Sequence, residues 1–323
     1  MGTRASGFAR LLLVLIGLIG SSAWSQGFPS KPIRIIVPFS AGGGNDVFGR
    51  KIAQKLQERL GQPVVVENKT GASGIIGAEF VAKSPADGYT LLAAQQALVL
   101  LPLVFKSVPF DVMKDFAPVG IGASVPMVVM VTNSLPVTSI NELIAHAKAN
   151  PGKLFYGTPG IGTPQHLATE LFMNMTQTIM VQVPYKGASD ILTDLMSGDV
   201  HVVFGALNSA APLIRAAKVR AIGIAEREPL QLFKDVPTVF ESLPGYEMNF
   251  WFGMLAPAGT PDSVVNRLSE EQRAIINLPD VREGLAKVGM DSKPTSAAEM
   301  RQIMAAELEK WSKVAKAAGI QRQ

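Results

Sequence analysis

The residues of this chain best suited to chemistry stand in Pro38-Phe39-Ser40-Ala41-Gly42-Gly43-Gly44-Asn45-Asp46, a loop almost without side chains. Three consecutive glycines let the backbone turn sharply and come close to a bound group. A helix starting near Asn45 has first amides with no intrahelical partner, and they point into the same space. Such a loop seats an anion, a carboxylate or a phosphate. A tight turn with no ligand is the alternative that this stretch alone leaves open.

The elements that must hold the loop are legible on both sides. Ile33, Ile35, Ile36 and Val37 form a β-branched run bounded by prolines, which reads as a buried strand of a parallel sheet. Phe48, Ile52, Leu56 and Leu60 recur every four residues and Gly61 follows, the pattern of a helix with one buried stripe and a left-handed cap. Strand Val64 to Glu67 leads into a second glycine-rich loop, Asn68 to Gly74, and a helix through Ile75, Ile76, Ala78 and Val81. Strand Tyr89 to Ala93 exits through Ala94-Gln95-Gln96-Ala97, which places Gln95 beside the first two loops, where ligands of open α/β sheets bind.

Near Ala117 the pattern changes. Val119, Ile121 and Met127 to Val131 read as two apolar strands broken by Ser124-Val125-Pro126, and the chain is expected to cross into a second lobe there. Ser139 with Glu142 reads as a capping box ahead of a helix that Pro151-Gly152 stops. Strand Leu154 to Tyr156 enters Gly157-Thr158-Pro159-Gly160-Ile161-Gly162-Thr163, with Thr163 as the cap and Pro164 as the first residue of the next helix. This repeats the opening order of strand, glycine-rich loop and exposed helix start. The lobe continues as strand Met180 to Pro184, helix Asp190 to Met196, strand Val200 to Phe204, helix Ala210 to Ala217 and strand Val219 to Ile224. Phe250 to Ala256 crosses back, and a last helix, Ser296 to Ala318 with a Ser296/Glu299 capping box, is expected on the first lobe. Strands alternating with helices at this spacing predict an α/β fold with mostly parallel sheets.

The N-terminus reads as an address. Arg4 and Arg10 precede the apolar run Leu11 to Ile19 and the small residues Ala23-x-Ser25, so a secretory signal peptide over residues 1–25, cleaved after Ser25, is expected. With no cysteine, the exported product carries no lipid on a cysteine. Its formal balance is 28 Lys and Arg against 26 acids, +2, because Arg4 and Arg10 leave with the peptide. That near neutrality says little about nucleic acid, and no basic stripe interleaved with aromatics argues for it, so no nucleic-acid partner is expected. The remaining length, roughly 300 residues, suits two lobes.

The constellations that catalysis needs are missing. Gly71-Ala72-Ser73-Gly74-Ile75 and Gly187-Ala188-Ser189-Asp190-Ile191 both lack the last glycine of a nucleophile elbow. Val47 stands where a dinucleotide fingerprint needs its third glycine, and no Walker lysine follows any glycine loop. His146, His166 and His201 share no metal-ligand spacing. His146 reads as a surface residue and His201 as packing, whereas His166, in the first turn after the Gly160 to Thr163 loop, could face a bound carboxylate. No catalytic residue, metal or cofactor is expected.

Phe28-Pro29-Ser30-Lys31-Pro32-Ile33, Val37-Pro38-Phe39 with Gly42-Gly43-Gly44 and Asp46, Val66-Glu67-Asn68, Gly71-Ala72-Ser73-Gly74 and Ile76-Gly77-Ala78 form a combination with a known likeness. So do Asp87-Gly88-Tyr89-Thr90-Leu91, Tyr156-Gly157-Thr158, Gly162-Thr163 with His166-Leu167, Val183-Pro184-Tyr185-Lys186-Gly187 and Ala256-Pro257-Ala258-Gly259-Thr260-Pro261. Across nearly the whole exported chain the sequence resembles the substrate-binding proteins of tripartite tricarboxylate transporters, the Bordetella-uptake-gene family.

The resemblance implies a monomeric periplasmic binding protein of the type II-like fold: two lobes, each a mostly parallel sheet flanked by helices, and a hinge of two segments. On this chain that gives residues 26–125 with 250–323 as one lobe and 126–249 as the other. It implies closure on a small carboxylate and delivery to a large and a small integral membrane subunit. Loop amides, hydroxyls and ordered waters hold the ligand in that family, without an arginine clamp. By motif, the resemblance points to Phe39, Ser40, Ala41 and Gly42, to Ala72 and Ser73, and to Thr158, Gly162, Thr163 and His166, with Lys186, Gly187, Ala188 and the turn after Phe204 on the other side. At that turn many members carry an aspartate where this chain has Gly205, so a di-acid without an amine is expected, aliphatic or flat and aromatic such as a phthalate isomer. Two other readings stay open from sequence: a binding protein that reports its ligand to a membrane-bound signalling partner, and a secreted hydrolase of carboxylate esters whose glycine loops form an oxyanion hole.

Overall fold

The computed structural model describes residues 27–317 and residue 322, apart from positions 40, 161, 162, 186, 187, 228, 231, 232 and 247. The expected signal peptide lies outside the described residues. Among the described residues no helix is long and apolar enough to cross a membrane.

The chain opens as the sequence predicts. Strand β1 (Ile33–Val37) is buried and runs into helix α1 (Gly44–Leu60), which ends on a left-handed Gly61. Phe48, Ile52 and Leu56 are buried along one stripe, each contributing about 1.5–3 kcal/mol of apolar burial. Gly49 lets the helix lie close against β1, since a Cβ there would stand 3.2 Å from Val37 Cγ2. β2 (Val64–Asn68), a 3-10 turn (Ala72–Gly74), α2 (Ile75–Ala82) and β3 (Thr90–Gln95) follow, with β2 and β3 parallel to β1 on either side.

The crossing strands differ from the expectation. In place of two strands broken at Ser124-Val125-Pro126 there is one strand, β4 (Phe116–Val131), of 16 residues. Its first part pairs antiparallel with β9 (Asn249–Pro257), which in turn pairs antiparallel with β3. Its last part pairs with β7 (Val202–Ala206) and β8 (Arg220–Ile224). Pro126 is tolerated because it stands where the pairing changes hands, opposite Asn249 at the start of β9. Beyond β7 lie β5 (Phe155–Thr158) and β6 (Val181–Pro184), parallel to one another, and the short β10 (Asp291–Ser292) pairs with β4. The full order is β2-β1-β3-β9-β4-β7-β5-β6 with β8 and β10 on β4, so the sheet is parallel at its outer strands and antiparallel where β9 and β4 join the halves.

Helices flank this sheet: α3 (Ala97–Val104), α4 (Ile140–Ala149), α5 (Pro164–Thr176), α6 (Ala188–Ser197), α7 (Leu207–Arg215), α8 (Val239–Ser242), α9 (Asp262–Ile276), α10 (Pro279–Lys287) and α11 (Ala297–Ala317). Ser296 and Glu299 form the expected capping box at α11. At α4 the box is only half made: Ser139 caps the Glu142 amide, but the Glu142 carboxylate turns to the Thr138 amide instead. The last helix is not confined to one side. Met300 and Met304 join the core built on Ile36, Leu92 and Leu255, whereas Trp311 and Ala315 join that of Tyr156, Phe172 and Phe204. With 21 residues it is about 31 Å long, enough to flank both.

Candidate functional site

The register of β4 decides where the loops meet. Gln95, the last residue of β3, pairs with Phe252, and Phe252 pairs with Ala123 of β4. Ala206, the last residue of β7, pairs with Met127 of the same strand. Because β3 runs with β4 and β7 runs against it, the carboxyl ends of the two parallel sets point at one another across residues 123–127, about 13 Å of strand. The loops after β1, β2 and β3 therefore face those after β5, β6 and β7.

On the first side the β1–α1 loop is shaped by Asp46. Its carboxylate is buried and accepts from the Gly42 amide at 2.9 Å, from Arg50 Nε at 2.8 Å and from Asn68 Nδ2 at 2.9 Å. Burial alone would raise this carboxyl, but the bonds from Arg50, Gly42 and Asn68 outweigh it and hold it down at about 2. The Asn68 amide also donates to the Phe39 carbonyl at 3.0 Å. The loop is thus tied at both ends while Ala41, Gly42 and Gly43 stay exposed. No side chain caps α1, so its first amides are left for a bound group. In the same turn the buried Asn45 side chain has neither its oxygen nor its nitrogen paired.

The second loop stores strain. Ala72 and Ser73 hold φ values of 46° and 56°, between Gly71 at 128° and Gly74 at 93°. A left-handed backbone costs a residue with a Cβ about 1–2 kcal/mol, and such conformations persist mainly where a site uses them. Both residues are exposed, and their loop meets the first one at Phe39. Phe39, Ser73, Gly74 and Gln95 share a small cleft of about 10 Å³ with Pro38, Leu92, Ala94 and Leu98, room for roughly one water.

On the facing side Thr163 caps α5 as expected: its hydroxyl accepts from the His166 amide at 3.3 Å and donates to the Gly160 carbonyl at 2.8 Å. Thr158 is fully buried, and its hydroxyl accepts from Gln182 Nε2 at 2.7 Å and from the Gly160 amide at 3.2 Å. These two threonine side chains hold Gly160, one at its amide and the other at its carbonyl. Beneath it His166 Nε2 lies 3.6 Å from Glu170 Oε1, and that oxygen accepts from the Tyr156 hydroxyl at 2.8 Å. Burial lowers His166 to about 4, so the ring is neutral at pH 7, and burial raises Glu170. Tyr185, whose amide bonds the Thr158 carbonyl, donates its hydroxyl to Asp194 at 2.6 Å.

The structure therefore brings Phe39, Ser73 and Gln95 around one cleft, with Ala41, Gly42 and Ala72 on the same loops, and sets Thr158, Thr163 and His166 in a second cluster. Ser40, Gly162, Lys186 and Gly187 lie outside the described residues, and Ala188 is the first residue of α6. Gly205 does not lie in a turn: β7 runs on to Ala206, Gly205 is buried opposite Val128, and a Cβ there would meet Met130 Cε at 2.9 Å. Pairing with β4 carries the strand past Phe204 to Ala206, and helix α7 starts at once at Leu207, so no turn follows Phe204. Asp46, Asn68 and Gln182 shape the loops without having been singled out as site residues; Asp46 alone had a local signal, its spacing of four from Arg50 on one helix. Among the described residues no group of acids and histidines could hold a metal ion.

Two sets of strand ends facing across a shared strand, with a helix start on each side, are the architecture of the periplasmic binding protein class. The chain belongs to the tripartite tricarboxylate transporter receptor family, TctC, which residues 48–320 match. It is 34% identical to the protein BugT of Bordetella pertussis, over 95% of this chain and 97% of that one. An R. palustris protein solved with adipate superposes with a TM-score of 0.82 at 38% identity, covering 92% of this chain and 100% of the other. MatC from Rhodopseudomonas palustris, with bound malate, superposes with a TM-score of 0.78 at 28% identity, covering 89% and 100%.

Proposed function

We propose that this chain is the periplasmic solute-binding component of a tripartite tricarboxylate transporter, exported by a cleaved signal peptide, and that it closes two lobes on a small dicarboxylate for delivery to two integral membrane subunits. The observation that carries the reading is the opposition of the β1–β3 and β5–β7 ends across residues 123–127 of β4. Residues 26–125 with 250–323 form one lobe and 126–249 the other. The adjacency of Pro126 and Asn249, where both crossing strands pass, supports hinges at those points.

One carboxylate sits on the α1 start and the left-handed turn, with Phe39, Ser40, Ala41, Gly42, Ala72, Ser73 and Gln95 around it. The other meets the α5 start and the loops holding Thr158, Gly162, Thr163, His166, Lys186, Gly187 and Ala188. A helix terminus contributes about 0.3–1 kcal/mol to a nearby carboxylate, and up to about 2 when partly buried. A hydrogen bond to a charged group adds about 1.5–3 kcal/mol. Three or four such contacts drawn from both lobes reach the roughly 8 kcal/mol of micromolar affinity after ordering losses. Only the closed form makes both sets, so ligand favours closure.

The ligand is a di-acid without an amine, aliphatic or aromatic. The relatives solved with adipate and with malate support this, since both compounds are amine-free dicarboxylates. A thermal-shift screen over aliphatic and aromatic mono-, di- and tricarboxylates and acidic amino acids tests it. A di-acid should raise the melting point most; aspartate or glutamate outdoing every amine-free di-acid would overturn the choice.

A further inference from the structure

The first turn of α1 holds a side chain that the fold leaves with nothing to bond. Asn45 is 3% exposed, and its Oδ1 and Nδ2 are both shut off from solvent without a hydrogen-bond partner among the described residues. Its neighbour Asp46 takes no part, because that carboxylate is given to Gly42, Arg50 and Asn68. A buried amide with neither atom paired is costly, and it persists where an arriving group or a trapped water supplies the bonds.

The packing of α1 sets the direction of this side chain. Asn45, Phe48, Gly49 and Ile52 are all buried and recur at helical spacing, on the face that meets the sheet. One turn on from Asn45, a Cβ at Gly49 would lie 3.2 Å from Val37 Cγ2 and 3.4 Å from Ala93 Cβ. Four residues of helix advance about 6 Å and two residues of strand about as much. Asn45 therefore stands level with Phe39 and Gln95, where β1 and β3 give out into the crevice.

Gln95 projects to the same side. Along β3, Leu91 and Ala93 lie in the core under α1, while Leu92 and Ala94 lie in the other. Gln95 continues the first set, and it pairs with Phe252, whose ring stacks on Phe48 of α1 at 6.0 Å. Among the described residues nothing bonds its carboxamide. Two unpaired carboxamides thus share the edge of the crevice at which the free amides of α1 begin.

These side chains fit a group that the main-chain amides do not. A carboxylate only accepts, so it takes N–H donors and leaves the Asn45 oxygen unpaired. An ammonium group only donates, so it leaves Nδ2 unpaired and finds no free acid to balance its charge. A hydroxyl does both, donating to the Asn45 oxygen and accepting from an N–H of either carboxamide. Asn45 shares its turn with the uncapped amides, so this hydroxyl belongs close to the carboxylate that they hold.

We propose that Asn45, with Gln95 on the strand below it, is a specificity-determining residue that reads a hydroxyl on the ligand, and that the preferred ligand is a hydroxy-substituted dicarboxylate. The proposal rests on the reading of the crevice as a carboxylate site and adds the one group that both gives and takes a hydrogen bond. Because the Asn45 side chain bonds nothing within the protein, it serves binding and not the fold.

Calorimetry on the whole exported protein, with acids that differ by one hydroxyl, tests it: succinate against both enantiomers of malate, and adipate against 2-hydroxyadipate. In the pair that binds more tightly, the hydroxy acid should win by at least roughly ten-fold, because the plain acid leaves a buried amide unpaired. Asn45→Ala should collapse that ratio to within about two-fold without lowering the melting point, since it removes no bond of the folded protein. Gln95→Leu should narrow the ratio as well and serves if Asn45→Ala does not fold. Equal affinity within each pair, or tight binding confined to acids without a hydroxyl, overturns the proposal and leaves the carboxylate reading standing, with Asn45 holding a trapped water only. A preference that survives both variants, or a melting point that falls in Asn45→Ala while the ratio stays, overturns it too and marks Asn45 as structural. A protein that binds no carboxylate at all overturns the carboxylate reading and this assignment with it.

Discussion

Asn68 reaches from the end of β2 to Asp46 in the first turn of α1, its Nδ2 donating to Oδ1 at 2.9 Å, and the same amide holds the Phe39 carbonyl at 3.0 Å. This one side chain couples the two loops of the first cluster. Its partner Asp46 is buried and works as a carboxylate, because Gly42 N, Arg50 Nε and Asn68 Nδ2 all donate to it.

Replacing Asp46 with Asn sets an amide against those donors and should destabilise the protein by about 1.5–3 kcal/mol in urea unfolding. The pH dependence has a definite sign. A folded value of about 2 against an ordinary 3.8 means stability that is full above 3.8 and lost as pH falls through 2. Screening at the half-exposed Arg50 trims the effect to on the order of 1–2 kcal/mol. The Asn variant should lack this acid loss; parallel acid profiles would show that Asp46 does not tie the loop.

The left-handed turn should separate stability from binding. Ser73→Gly relieves a backbone at φ 56°, so the melting point should hold or rise by an amount worth up to about 1 kcal/mol. Dicarboxylate affinity should fall several-fold, because the freer loop must be ordered on binding. Unchanged affinity with a raised melting point would mean that the strained turn is not part of the site.

Thr163→Val removes a helix cap and the tie to the Gly160 carbonyl together. The cap is worth about 1–2 kcal/mol of stability, and affinity should weaken by about 1–3 kcal/mol as the second loop loosens. Calorimetry that finds wild-type affinity would place the ligand away from this loop.

His166 and Glu307 should tilt stability in opposite directions. Burial lowers His166 from 6.5 to about 4, so its share of stability is complete above 6.5 and lost as pH falls toward 4, about 3 kcal/mol at most. Glu307, raised from 4.5 to about 7, favours the folded state below 4.5 and loses that share as pH rises through 7. Denaturant unfolding at several pH values should show His166→Gln losing stability more slowly than the wild type on acidification; identical slopes would contradict a buried neutral ring.

What the sequence made legible was local. The β1 run, the glycine loop, the Phe48 stripe, the Thr163 cap and the Ser296/Glu299 box each occupy a few neighbouring positions and obey rules that act over one turn or one strand. What it hid was non-local. β4 looked broken because a proline usually ends a strand, and only pairing with Asn249 explains why Pro126 does not. α3 reads Ala97 to Val104 without a charge and with Pro102 inside, so no periodicity marks it as a helix; it is buried between both cores, Leu98 and Leu101 in one, Leu100 and Leu103 in the other. The bond from Gln96 Nε2 to Glu307 joins residues 211 positions apart, beyond any motif. Gly205 was placed in a turn because the end of a strand depends on its partner.

The central claim is that two facing sets of donors grip the two ends of one ligand. Its most direct test is paired calorimetric titration with adipate and with hexanoate, the mono-acid of equal chain length. Adipate should bind in the micromolar range and hexanoate at least about ten-fold more weakly, a loss near 1.4 kcal/mol, because one set of amides then faces nothing charged. Equal affinity for the two acids would contradict a grip from both sides.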